Sequence, residues 1–132
     1  MKSLWITPLV VLALLDPLYA GADLQKGLNA IRDGDYLKAL KNLKELADQG
    51  NAKAQYNIGV LYQNGDGVPQ SYEEATYWYR LAASQGNVNA SFNLAVIYGN
   101  AEGDLRDTEE AVKWYRRAAD QGLAQAQYNL GV

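Results

Sequence analysis

Two adjacent carboxylate pairs, Glu73-Glu74 and Glu109-Glu110, come nearest in this sequence to general acid–base chemistry. Cleaving a glycosidic bond needs two carboxyls facing each other across it, about 5–10 Å apart. Neighbouring helical residues instead point about 100° apart, and both pairs fall where a helix would begin, the end that favours negative charge. They are therefore read as helix-start residues. The sequence has no His and no Cys, which removes His-based triads, thiol nucleophiles, the usual zinc sites and disulfides. No carboxylate group has calcium-loop spacing, and no Ser-x-x-Lys motif supplies an activated serine. No catalytic residue, metal ligand set or cofactor is expected, and the chain reads as a non-enzyme.

Groups suited to binding are easier to find. Asn57, Asn93 and Asn129 recur at a spacing of thirty-six residues, each preceded by an aromatic residue, Tyr56, Phe92 or Tyr128. A primary amide both donates and accepts, so it can read a peptide backbone. A recurring amide can equally satisfy a neighbouring loop, and both readings stand. Trp78 and Trp114 also share a register; each falls on an apolar helical stripe, which favours core packing over ligand stacking.

The elements that position these groups follow from composition and periodicity. The chain has 132 residues, 48% hydrophobic and 20% charged, with a net charge of -3. That is the size of one domain, and with no long basic run it excludes nucleic acid as a partner. Ser3 to Leu15 is almost uncharged behind Lys2, with an apolar stretch Leu9 to Leu15 too short to span a bilayer. Small residues follow at Ala20, Gly21 and Ala22. Residues 1–22 thus read as a signal peptide, cleaved after Ala20 or Ala22, with a periplasmic or secreted product and no other membrane association.

Offsetting the sequence by thirty-six residues aligns Asn51 to Gly86 with Asn87 to Gly122 at seventeen identical positions. Two repeats, 51–86 and 87–122, are followed by the start of a third at 123–132, and 23–50 matches the later part of the unit. One helical hairpin per unit suits this period. In the second half, Ala75, Trp78, Tyr79, Ala82 and Ala83 form a helical stripe, as do Ala111, Trp114, Tyr115, Ala118 and Ala119. Ser71 and Asp107 stand three residues before Glu74 and Glu110, the spacing of a capping box. Gly50, Gly86 and Gly122 suit the left-handed residue after a helix. In the first half, Ala54, Ile58, Leu61 and Tyr62 share a stripe, while Tyr56 and Val60 face the other way, so this helix needs neighbours on two sides. Gly59, Ala95 and Gly131 lie between the two faces, where a small side chain permits close approach.

The pattern Ala54, Ile58-Gly59, Leu61-Tyr62, Gly65, Gly67-Val68, then Ala75, Trp78-Tyr79, Ala82-Ala83, Gly86 resembles the Sel-1-like repeat, a relative of the tetratricopeptide repeat with a longer loop. Tyr98 and Gly103 repeat it in the second copy, which departs at Ala95, Ala101 and Asp104, leaving Leu105 as the candidate plug of its loop. Residues 23–50 are more similar to an ordinary tetratricopeptide hairpin. The resemblance implies an all-α, right-handed superhelix of antiparallel helix pairs that binds other proteins or peptides. In such proteins first-helix asparagines line a concave groove, which makes Asn57, Asn93, Asn129, Tyr56 and Phe92 the candidate partner-binding residues. It further implies a bacterial envelope or host protein as partner. A cell-wall enzyme or β-lactam-binding protein is the alternative reading, but the cysteines of such relatives are missing here. With Val132 placed only about ten residues into a helix, the expectations are a fragment or minimal member, a capping helix, or self-association of a second copy over Tyr128, Leu130 and Val132.

Overall fold

Five successive helices of this chain begin where a side chain takes up a backbone N–H that the first turn leaves without a partner. Asp35 Oδ1 accepts from Lys38 N–H at 3.1 Å, Asn51 Oδ1 from Ala54 at 2.9 Å, Ser71 Oγ from Glu74 at 3.2 Å, Asn87 Oδ1 from Ala90 at 2.9 Å and Asp107 Oδ1 from Glu110 at 3.0 Å. In the computed structural model, which describes residues 21–131, the helices are α1 (21–32), α2 (Tyr36–Asp48), α3 (Ala52–Asn64), α4 (Tyr72–Ser84), α5 (Val88–Asn100), α6 (Thr108–Asp120) and α7 (Ala124–Leu130). A single 3-10 turn, Gly103–Leu105, separates α5 from α6, and there is no strand among the described residues. The expected signal segment, apart from Gly21 and Ala22, and the expected placement of Val132 lie outside those residues.

Between one hairpin and the next the chain reverses in three residues. Gly50, at φ 97°, donates to Ala47 O (3.0 Å), and Asn51 N–H reaches Leu46 O (2.9 Å) while its side chain caps α3. Asn87 does the same, donating to Ala82 O at 3.1 Å and capping α5. Within a hairpin the connection is longer. Gly65 closes α3 in the left-handed conformation (φ 74°), and Ser71 N–H returns to Tyr62 O at 3.0 Å. In the next unit Ala101 stands in register with Gly65 and stays extended, so the loop turns through Gly103 (φ 71°) instead. It still lands on the equivalent carbonyl, with Asp107 N–H on Tyr98 O at 2.9 Å. These loop bonds take the place of the second half of each expected capping box. Gly131 also departs from expectation: it ends α7 at φ 74° rather than lying within a helix.

Contacts run between successive helices, α2 with α3, α3 with α4, α4 with α5, α5 with α6 and α6 with α7. This is the all-α solenoid of antiparallel pairs that the repeat implies. Its core is a chain of clusters. Ala30, Leu43, Ile58, Leu61 and Trp78 pack together at one end, and Tyr79, Leu94, Ile97, Tyr98 and Trp114 form the centre. Ala118, Ala119 and Ala126 pack with Phe92, Tyr115 and Leu130 at the other end. Helix α3 serves two clusters, Ile58 and Leu61 facing one while Tyr56 and Val60 face the next.

Two contacts hold successive elements at close range. A Cβ on Gly59 would lie 2.6 Å from the ring of Tyr79, which is fully buried. The side chain of Gln55, 3% exposed, donates to Ala47 O at 3.0 Å and accepts from Gln85 Nε2 at 2.8 Å, tying α3 to the end of α2 and to the end of α4. In the next unit Ser91 is too short for this rung; its Oγ goes to Asn87 O, and Gln121 Nε2 reaches Gly86 O at 2.9 Å.

Gly59→Ala gains about 1 kcal/mol of helix propensity but forces a buried ring aside, at a cost of about 1–3 kcal/mol. A net loss of up to about 2 kcal/mol is expected in chemical denaturation, while Ala95→Gly at the equivalent position should lose about 1 kcal/mol of propensity and, beyond that, the contacts of a buried methyl. Gln55→Ala removes two hydrogen bonds and should cost about 1–3 kcal/mol in the same measurement.

Candidate interaction surfaces

The recurring asparagines lie along the first helices of successive units, α3, α5 and α7. Asn57 Nδ2 donates to Lys53 O at 2.8 Å within α3, and Asn129 Oδ1 accepts from Gln125 Nε2 at 3.1 Å within α7. Asn93 differs in place: its amide stands near the hydroxyl of Tyr79, across the boundary between units. That hydroxyl donates to Gln63 Oε1 at 2.6 Å. Burial pushes its ionisation well above the usual phenol range; the Asn93 amide works against this shift, and nearby Tyr56 adds to it. Tyr79 is therefore a neutral donor at physiological pH. One amide neighbours a buried tyrosine hydroxyl of the preceding unit, while two are engaged within their own helix.

The aromatic residues before these amides pair within their units. Tyr56 lies 5.8 Å from Tyr79 between ring centroids, and Phe92 lies 5.7 Å from Tyr115, edge-on at 66°. Both are half-buried, whereas Tyr128 is 79% exposed. Tyr56, Gln63, Tyr79 and Asn93 thus meet in one cluster, and Phe92 belongs to the next.

Beside Gln63 a groove of about 490 Å³ opens between the ends of α3 and α5, next to the second long loop. Val96, Ile97, Ala101 and Leu105 supply apolar walls, and Gln63 and Asn100 bring amides. Leu105, expected to plug its loop, is half-buried and lines this groove. Sequence reasoning did not find the groove, although its signal was present: Ala101 and Leu105 are where the second repeat departs from the first.

The second helices carry the charged chemistry. Glu110, read from sequence as a helix-start residue, directs its carboxylate to Trp114 Nε1 at 2.9 Å and stands 3.6 Å from Arg80 and 3.5 Å from Lys113. Arg80 also donates to the Tyr98 hydroxyl. The corresponding Trp78 is 5% exposed and its Nε1 has no hydrogen-bond partner, while Lys44 lies 5.1 Å above its ring. Among the described residues no cluster of His, Cys, Asp or Glu could hold a metal ion, and no helix is long and apolar enough to cross a membrane.

Comparison with known proteins bears on this arrangement. The Sel1 repeat family matches residues 20–51, 52–87, 88–123 and 124–132. A Sel1 repeat protein from Oxalobacter formigenes superposes with a TM-score of 0.77 at 39% identity, over 82% of this chain and 44% of that one. A protective antigen of uropathogenic Escherichia coli with an SLR fold gives 0.75 at 34% identity, over 83% of this chain and 24% of the antigen. DAP3-binding cell death enhancer 1 of rat is 39% identical, and that of mouse 40%, over 49 residues, or 37% of this chain and 10% of each relative. The chain therefore spans less than half of each of these proteins, but the repeats cover nearly all of it, and it belongs to the Sel1 repeat family.

Proposed function

We propose that this chain is a non-enzymatic scaffold that binds an extended segment of a partner protein along its first helices, in the periplasm or outside the cell. The observation that carries the reading is the groove between the ends of α3 and α5, beside the second long loop. Its apolar walls at Val96, Ile97 and Leu105 suit one apolar side chain of a partner, and the amides of Gln63 and Asn100 stand where that partner's backbone would pass. Half-buried Tyr56 and Phe92 and the amide of Asn57 continue the same helical faces. An extended chain suits such a row, because repeated units offer the same kind of group at regular intervals.

Family relatives support a protein partner, since the rat and mouse proteins are named for binding one. An export signal in residues 1–22 supports the location, and an envelope or host protein is the expected class of partner. The lack of His, Cys and Ser-x-x-Lys weighs against a cell-wall enzyme or β-lactam-binding protein.

Photo-cross-linking from position 96 in cells should trap a discrete partner, and Asn100→Ala combined with Val96→Glu should abolish capture without changing helicity. Asn57→Ala and Asn93→Ala should each weaken capture while leaving helicity unchanged. Capture unaffected by all of these substitutions would refute the first-helix site. Labelled penicillin and peptidoglycan should give neither adduct nor product.

A further inference from the structure

The second helices present a surface with chemistry unlike that of the first. Arg80, Lys113 and Arg117 crowd around one indole, their charged centres 5.8, 5.4 and 5.5 Å from the ring of Trp114. Glu110 is the carboxylate within reach of this group, and it is shared among the Trp114 N–H, Arg80 and Lys113. Among the described residues Arg117 makes no ion pair. A local excess of positive charge therefore stands out on a chain whose net charge is -3. Mutual repulsion among the three cations is relieved when a further anion arrives.

Next to the cations on α4 are two apolar side chains that the fold leaves in water, Tyr77 at 56% and Leu81 at 36% exposure. Tyr77 stands one turn before both Arg80 (three residues on) and Leu81 (four residues on), so it adjoins each of them on the helical surface. Towards α2, Tyr77 packs edge-on to Trp78 at 5.1 Å, and Lys44 lies over the same indole. Asp48 already holds the Lys44 ammonium at 2.8 Å, so the strip with charge to offer runs from Tyr77 and Leu81 to Arg80, Lys113 and Arg117.

We propose that this strip is a second docking surface, separate from the first-helix groove, for an extended acidic segment of a partner protein. The partner's apolar side chain rests on Tyr77 and Leu81, and its carboxylates pair with Arg80, Lys113 and Arg117. Adjoining helices lie roughly 10 Å apart, which an extended chain covers in about three residues. The matching segment therefore carries an acidic residue about three positions from an apolar one. A peptide fits better than an inorganic anion for two reasons. The cations surround a ring instead of converging on a point, and a small anion has no use for Tyr77 or Leu81.

The test is fluorescence anisotropy with a labelled peptide that has two glutamates at each end and a phenylalanine between them, titrated with the folded protein. Saturable binding is expected, weakened about tenfold or more when salt rises from about 0.05 to about 0.5 M. Lys113→Gln with Arg117→Gln should weaken it similarly, and Tyr77→Ser by several-fold. All three positions are exposed, and unchanged circular dichroism melting would show the fold intact. A peptide with glutamines in place of the glutamates should not bind. Equal binding of that peptide, or indifference to the Lys113 and Arg117 changes, would overturn the proposal. Displacement by inorganic phosphate at concentrations comparable to the peptide's Kd would also overturn it, in favour of a small-anion site. Asn57→Ala and Val96→Glu should leave this binding unchanged, so failure here and failure of the first-helix reading are separate results.

Discussion

Everything in this fold rests on how tightly the chain can reverse between hairpins, and that is settled by one residue serving two helices. Asn51 and Asn87 each close the preceding helix with the backbone N–H and open the next with the side chain. A reversal of three residues leaves the following helix little freedom of angle or distance. The alanines at 47, 83 and 119 and Gly59 then become necessary, since a larger side chain at these crossings would hold the helices apart. Period, spacing and small-residue positions are consequences of the same joint. At the third reversal Leu123 stands in the asparagine position; its N–H still reaches Ala118 O at 3.1 Å, but it offers no side-chain cap.

The second unit shows what happens when members of such a set change. Ala95 replaces the glycine under the ring, and Tyr115 is half-buried where Tyr79 is fully buried. Ser91 replaces the glutamine rung, and Gln121 finds Gly86 O. Ala101 replaces the left-handed glycine, and the loop turns through Gly103. The loop bond to the Tyr98 carbonyl is nevertheless kept. Backbone joints are conserved between units while the side chains between them vary, and the groove beside Val96 opens next to the altered loop. Variation that leaves the joints intact reshapes the surface without disturbing the solenoid.

What could be read from the sequence divides along the same boundary. Helical stripes, caps and glycine stops are local patterns, so α2 to α6 were legible from spacing alone. The two-sided role of α3 was legible too, because Tyr56 and Val60 fall off the main stripe. The destination of a long polar side chain was not. Glu110 shares its register with Glu74 and its helix-start position with many capping residues, yet its carboxylate is used by Trp114, Arg80 and Lys113. Arg80 lies thirty positions before Glu110, and no local rule brings them together. Asn57, Asn93 and Asn129 look equivalent as a sequence pattern but end in different surroundings: Asn57 and Asn129 bond within their own helices, while Asn93 stands near the buried Tyr79 hydroxyl.

The two faces of the solenoid differ in how they would recognise a partner. Along the first helices the available groups are amides and aromatic edges, which read the backbone and shape of a segment with little dependence on its charge. Along α4 and α6 three cations, only two of them paired with Glu110, stand beside exposed Tyr77 and Leu81, an arrangement that steers and selects by charge. A repeat protein has room for this division because each hairpin contributes one helix to either side, and a substitution on one helix need not pass through the core to the other. The exchange of Tyr77 and Leu81 for Lys113 and Arg117 one unit later occurs at outward positions, while the buried alanines and tryptophans beneath them keep their register. The outer surface can therefore acquire charge specificity without cost to the packing that holds the inner groups in line.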